Sequence, residues 1–434
     1  MQKPTFKEAF NFWLKLGFIS FGGPAGQIAI MHEFLVEKSK WISDSKFLHA
    51  LNFCMLLPGP EAQQLAIYIG WLLHGLRGGL VAGILFVLPS VFILLGLSIA
   101  YVMYGHIAWV GALFYGLKPA VVAIVILALI KIAKKSLSGA LHYVIATLSF
   151  VLIFFLNVPF PVIIFGTIAT GFLIQKFYPQ VFSNSKNENH KRISDESEYF
   201  LNRNTLIENT GFSLSRLVKQ IASGIILWFI PLVIFKFVSD DFLFWKNLIL
   251  FFTQAAFVTF GGAYAVLPYV AQISVEKFHW LSQYQMIDGL ALGETTPGPL
   301  IMVLAFVGFI AGYNHFTSLS LASVSLLTTT FYTFLPSFLF ILIGAPIIET
   351  TQHNPKIKNI LNIVTVAVVG VVLNLTVYFG KAVVFPQGLN ISSVDYFAFA
   401  WIIISFFAMN KFKVGMIPWI IISALAGLAK YFLI

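Results

Sequence analysis

Glu61 directly follows a Pro-Gly-Pro triplet (Pro58, Gly59, Pro60), and Glu294 comes shortly before a second one (Pro297, Gly298, Pro299). Both carboxylates lie in strongly apolar stretches, where a charge at the bilayer centre costs about 2.5–3.5 kcal/mol. Such an acid lines a wet cavity or carries a proton; the competing reading places it near an interface beside a lysine. Polar side chains surround both triplets: Asn52, Gln63 and Gln64 near the first, Thr295 and Thr296 just before the second. Proline lacks an amide hydrogen and clashes with the preceding turn, so each triplet should break a helix. In hydrocarbon, broken backbone persists only where protein or a wet cavity satisfies it. Half-helix N-termini formed this way favour anions through their unpaired N–H groups and dipole. The triplets therefore mark an ion or substrate site, with kinking and packing as the alternative.

Gly22-Gly23-Pro24 and Gly261-Gly262 form a second pair of breaks. Lys118 lies within the apolar block Ala108 to Ile130 and could neutralise an anion there or snorkel to an interface. Arg77, just past His74, serves topology or gathers anions at a pathway mouth. His32-Glu33 lacks the second histidine of a zinc protease, and no P-loop or dinucleotide fingerprint is present. One cysteine, Cys54, leaves no intrachain disulfide or multi-cysteine metal site. No metal, cofactor or catalytic residue is expected, and the chain does not read as an enzyme.

The elements that carry these residues are apolar helices. Hydrophobic residues make up 59% of 434 positions and charged residues only 10%, against about 25% charged in a soluble domain. The fold class is an all-α polytopic membrane protein. About thirteen segments are expected: 8–31, 47–74, 78–104, 108–131, 141–156, 159–176, 217–238, 246–270, 283–312, 318–347, 358–380, 395–409 and 414–433. The short 141–156 and 395–409 are candidate half-spans. Met1 to Glu8 is polar with no cleavage pattern after it, so no secretory signal is expected. The net charge of +10 has topology and anionic lipid as its explanation, not nucleic acid.

The chain repeats itself. Phe21-Gly22-Gly23 returns as Phe260-Gly261-Gly262, Glu37-Lys38 as Glu276-Lys277, Trp41 as Trp280 and Pro58-Gly59-Pro60 as Pro297-Gly298-Pro299, all 239 positions later. Further on the offset is 247, joining Leu88-Pro89-Ser90 to Leu335-Pro336-Ser337 and Ala120-Val121-Val122 to Ala367-Val368-Val369. The expected division is a first repeat at 1–177, a polar linker at 178–215 with Ser183 to Asp195 disordered, a connecting crossing at 216–238, and a second repeat at 239–434.

Basic loops set the orientation. Lys3, Lys7, Arg77, Lys131, Lys134, Lys135 and the linker's Lys186, Lys191, Arg192, Arg203 and Arg216 fall inside, with Lys277, Lys356, Lys358, Lys411 and Lys413. Lys38, Lys40 and Lys46 are the exception and fall outside. Six crossings and then a lone seventh start the second copy from the opposite side, which inverts the repeat. Were 8–31 and 246–270 re-entrant, the parity would change and the copies would run parallel.

These motifs resemble the chromate transporter (chromate ion transporter) family in its long two-domain form. The match comprises Phe21 to Pro24, Glu37 with Trp41, Leu57 to Pro60, Gly75 to Gly79, and Leu88 to Ser90. It continues with Phe260 to Tyr264, Leu267-Pro268, Asp288 to Gly293, Thr296 to Pro299, and Leu335 to Ser337. The resemblance implies a multi-pass protein of the bacterial inner membrane that exports chromate using the proton motive force, with the Pro-Gly-Pro segments and Arg77 on the pathway. The expected partners are chromate or a sulfate-like oxyanion, protons as coupling ion, membrane lipids and a second copy of the chain. A passive anion channel and oxyanion uptake are the alternatives to active efflux, and a membrane-embedded transferase finds no metal or nucleophile spacing to support it.

Overall fold

The apolar blocks that open each half turn back on themselves. In the computed structural model, which describes residues 3–177, 196–202, 205, 213–348 and 355–433, the first block is a pair of short helices. These are α1 (Phe6–Ile19) and α2 (Gly23–His32), the latter continued by a π-helical turn, Glu33–Lys38. Thr5 and Glu8 cap the start of α1 reciprocally. Beyond it Gly22 and Gly23 take φ of +87° and +69°, which glycine adopts at no steric cost. Phe12 of α1 then stacks on Phe34 of the π turn at 4.1 Å, and Trp41 meets Phe12 edge-on at 5.9 Å. A continuous helix would hold Phe12 and Phe34 about 33 Å apart at 1.5 Å per residue.

The second block also doubles back. α3 (Asp44–Cys54) runs into the first Pro-Gly-Pro, and α4 (Glu61–Tyr104) leads out again. α4 is two helices in one, with non-helical backbone at His74 and Gly75. His74 Nε2 lies 3.0 Å from the Pro4 carbonyl, so both hairpins enter from the face where the chain begins. The second half of α4, α5 (Ala108–Ser136), α6 (Ala140–Phe154) and α7 (Phe160–Phe177) then pass between the faces.

α8 (Leu214–Val238) crosses with only Gly224 buried. The second repeat follows as α9 (Phe242–Val258), α10 (Ala263–Gln272) with a π turn Ile273–Lys277, α11 (Gln283–Thr295), α12 (Val303–Phe316), α13 (Leu319–Ile348), α14 (Pro355–Val384), α15 (Tyr396–Asn410) and α16 (Met416–Leu433). The copies agree in backbone detail. Lys40 and His279, 239 positions apart, both take φ of 51°, and Ser43 and Ser282 cap equivalent helices. Among the described residues, seven helices are long and apolar enough to cross a membrane, namely α4, α5, α7, α8, α13, α14 and α16. α6 and α15, singled out as half-spans, are 15 residues each and join ends that lie on opposite faces. Among the described residues there is no strand, only a bridge between Ile42 and Leu201.

The copies are inverted. Gly83 of α4 abuts Phe338 of α13 and Gly79 abuts Leu342, so these helices run antiparallel. The 247-residue offset makes them equivalent, and a two-fold axis relating antiparallel spans lies in the membrane plane. The predicted parity survives for a reason the basic loops did not reveal. Each half loses two crossings to fold-back hairpins, and two changes of parity cancel.

The hairpins correct the loop assignments. Lys40 pairs with Glu198 of the linker, and Leu201 N–H donates to the Trp41 carbonyl at 3.0 Å. The α2–α3 connection, with Lys38, Lys40 and Lys46, therefore lies on the linker face and is no exception to the charge rule. Lys277, expected inside, lies on the opposite face with Trp280, whose ring is 6.1 Å from Phe244 at the start of α9. The expectations for Ser183 to Asp195, Lys186, Lys191, Arg192 and Arg203 lie outside the described residues, as do the side chains of Lys356 and Lys358.

On the face opposite the linker, Asp241 caps α9. Its Oδ1 accepts from Phe244 N–H at 3.1 Å and its Oδ2 lies 2.6 Å from His315 Nε2. The backbone bond, then the histidine, hold its carboxyl below the usual carboxylate range. A depressed carboxylate contributes stability above its unfolded pKa, and that contribution is lost as pH falls through the lower folded value. Asp241→Ala should cost about 1 kcal/mol and flatten the acid limb of Tm against pH. An unchanged acid limb in thermal melts would overturn this assignment.

Candidate functional site

Each half completes the other's break. The first Pro-Gly-Pro donates Gly59 N–H to the Thr259 carbonyl of the second copy at 2.7 Å, and Gly298 N–H donates to the Ser20 carbonyl of the first, also at 2.7 Å. Ser20 and Thr259 are 239 positions apart and end α1 and α9. Their hydroxyls bond back to Leu16 O at 2.5 Å and Ala255 O at 2.6 Å. In hydrocarbon an unpaired backbone group costs several kcal/mol, and these reciprocal bonds remove that cost at both breaks.

Side chains brace the breaks unequally. Gln27 Nε2 donates to Gly298 O at 2.5 Å, reaching from α2 into the second copy. Gln64 Nε2 donates to Pro58 O at 2.7 Å within its own copy. The Ser90 hydroxyl donates to the Pro297 carbonyl. The repeat places Val266 opposite Gln27 and Val303 opposite Gln64, so the first copy supplies the carboxamides. Gln63 is 0% exposed, yet neither its amide nitrogen nor its carbonyl oxygen has a hydrogen-bond partner in the protein. Gln27 Oε1 and Gln64 Oε1 are likewise unpaired. Three buried carboxamides with spare capacity beside one pair of breaks point to a polar ligand.

Helix ends converge on the same place. α2 starts at Gly23 with Pro24 in its first turn, α4 starts at Glu61, and neither has a side-chain cap; α10 and α12 start beside the equivalent breaks, also uncapped by side chains. A Cβ added at Gly23 or at Gly262 would meet nothing within 4 Å, so space lies in front of both turns. Gly261 faces Thr365 of α14. The C-cap carbonyls of α1 and α9 are engaged across the copies, while the first turns of α2, α4 and α10 have no side-chain cap and present electropositive ends that suit an anion.

The acids occupy different settings. Glu294 is 5% exposed, accepts from Tyr264 OH at 2.5 Å, and makes no ion pair with a lysine or arginine among the described residues. Glu61 is half-buried in the first turn of α4. Thr295 and Thr296 donate to Leu292 O at 2.8 Å and Gly293 O at 2.9 Å, closing the end of α11. Asn52 is exposed on α3, and Arg77 is exposed beyond the Gly75 kink on the linker face, away from the breaks. Lys118 neither snorkels nor stands free. Its Nζ lies 3.7 Å from Asp288 Oδ1 and 4.7 Å from the Tyr284 ring centroid.

Sequence reasoning singled out the breaks, Gln63, Gln64 and the acids, and did not single out Ser20, Thr259, Gln27, Ser90 as a brace, or Tyr264. Extending the repeat by one position would have exposed Ser20 and Thr259, since each precedes a Phe-Gly-Gly. Gln27 has no counterpart in the second copy to draw attention to it.

A family model described as chromate transporter matches residues 7–172 and 246–428. A protein named "Probable chromate transport protein" from Synechococcus elongatus is 29% identical over 379 residues, covering 87% of this chain and 85% of its own length. "Chromate transport protein" from Cupriavidus metallidurans is 27% identical over 448 residues, 98% of this chain and 94% of its own. The Pseudomonas aeruginosa protein of that name is 27% identical over 433 residues, 98% and 92%. No solved structure matches the chain significantly.

Proposed function

The chain belongs to the chromate transporter family, and from that premise we propose that it exports chromate across the bacterial inner membrane by secondary active transport driven by the proton motive force. The reading extends to sulfate, which has the same tetrahedral shape and double charge. The observation that carries it is the pair of reciprocal breaks, with helix N-termini uncapped by side chains, three buried carboxamides with unpaired atoms, and open space at the neighbouring glycine turns Gly23 and Gly262. Amide donors and dipoles there suit a dianion. Glu294, buried and without a basic partner, is the better placed acid for the coupling proton; Glu61 sits on the more open first copy.

Alternating access has support in the unequal exposure of the copies. α10 is buried from Ala265 to Ala271, whereas α2 buries only Gln27 and Met31 and leaves Ala25 and Ala29 uncovered, as is Gly22 before it. In an inverted repeat the opposite-facing state arises when the copies exchange such conformations.

The test is ion-resolved uptake into inverted vesicles, chromate against sulfate, with and without a pH gradient. Chromate should accumulate against its gradient only while the proton gradient stands, and sulfate should compete. Flux that is unchanged by collapsing both pH and potential gradients would favour a passive channel and sink the coupled reading.

A further inference from the structure

We propose that Asp288 is a stand-in for the substrate: its carboxylate holds Lys118 when no oxyanion is bound, and the arriving oxyanion takes Lys118 from it, releasing α11 from α5. This rests on the chain being an oxyanion transporter and assigns the gate of that site.

The pair joins the two copies, Lys118 from α5 of the first and Asp288 from α11 of the second. Asp288 is buried and Lys118 half-buried, and the pair is loose. The side chains are 20% and 6% exposed and 3.7 Å apart, and Asp288 Oδ1 has no hydrogen bond. Oδ2 is held independently by Tyr101 OH at 2.9 Å, so Asp288 keeps a donor when the lysine leaves. Lys118 also retains the Tyr284 ring. Of the other elements packed on α11, α16 brings Lys430, which lies over the Tyr115 ring at 4.4 Å. α14 brings Tyr378, whose carbonyl accepts from Gln283 at 3.0 Å, and Lys381; α12 brings His315, paired with Asp241. Lys118 is therefore the cation that faces Asp288.

The repeat supplies the destination. Offset by 247, Lys118 corresponds to Thr365, and Thr365 sits beside Gly261 at the glycine turn of its own copy. In the first copy the equivalent turn at Gly22 has only the Gly26 Cα within 4 Å of an added Cβ. When the copies exchange conformations, Lys118 comes to Gly22 as Thr365 now lies at Gly261. That movement carries a cation from Asp288 to the uncapped start of α2. An oxyanion at that turn gives the lysine a new partner, so the grip on α11 loosens only when substrate is present. The residue types differ at the mirrored positions, where Thr365 and His49 stand for Lys118 and Asp288, so those positions hold no lysine–carboxylate pair.

The experiment measures chromate binding and chromate flux for the purified, reconstituted full chain and its Asp288→Asn, Lys118→Gln, Lys118→Arg and doubly substituted Asp288→Asn/Lys118→Gln forms. The carboxamide introduced by D288N can still accept from Tyr101. With the competitor removed, D288N should bind chromate about tenfold more tightly with KM and kcat both lowered, and K118Q about tenfold more weakly. K118R should stay near wild type, and the double form should resemble K118Q. Binding in folded D288N that is unchanged or weaker, with wild type binding normally, overturns the stand-in role alone. Wild type that neither binds nor moves chromate overturns the transport reading and this one with it.

Discussion

Gly298→Ala is expected to abolish transport. Gly298 holds φ at +97°, a conformation that costs a side chain about 1–3 kcal/mol. Its added Cβ would drive into the Ser90 hydroxyl, the group that braces the Pro297 carbonyl. Overpacking adds about 1–3 kcal/mol, and the shift needed to relieve it pulls Gly298 N–H away from Ser20. Both copies are disturbed at once, because Gln27 loses its acceptor too. Adding Ser90→Ala should restore part of the thermal stability while leaving transport lost, since it relieves the clash and not the backbone strain. Reconstituted G298A protein transporting chromate at more than about half the wild-type rate would overturn the assignment of this break as the site.

Glu294→Gln should separate transport from the proton gradient. The carboxamide keeps an acceptor for Tyr264, whose hydroxyl lies 2.5 Å from the native carboxylate, so the local geometry is preserved. What is lost is the ability to take up and release a proton. Accumulation driven by a pH gradient should fall by about 5–150-fold, the range of a coupling energy of 1–3 kcal/mol, while chromate exchange at equal pH persists. Glu61→Gln should have the smaller effect. Full gradient-driven accumulation in E294Q would move the proton elsewhere.

Much of this architecture was legible in the residues. Length of apolar block gave the class, and the recurrence of Phe-Gly-Gly and Pro-Gly-Pro at one offset gave the duplication. The residues left the hairpins undecided, because the first block, 8–31, is as apolar and as long as a crossing. Its turn depends on two glycines at positive φ and on Phe12 meeting Phe34, a contact no hydropathy window registers. The breaks were visible through proline chemistry, yet their partners were not. Gly59 is satisfied by Thr259 and Gly298 by Ser20, contacts that only a folded pair of copies creates. Lys118 shows the same limit. Its position in an apolar block signalled function or snorkelling, and the third outcome, a carboxylate from the other copy, required α5 and α11 to be placed side by side.

The crossed bonds at Gly59 and Gly298 also dictate an order of assembly. Gly59 is made 200 residues before the Thr259 carbonyl it needs, and at synthesis rates of about 5–20 residues per second that gap lasts on the order of 10–40 s. The first half thus leaves the ribosome with an unsealed opening in its backbone and must be sheltered by lipid headgroups, insertion machinery or water until its counterpart arrives upside down. A nascent chain stalled before residue 259 should therefore be cleaved readily near residues 55–60, and one released beyond residue 298 should resist. The inversion that serves ion movement also delays the sealing of the first break until the second half is under way.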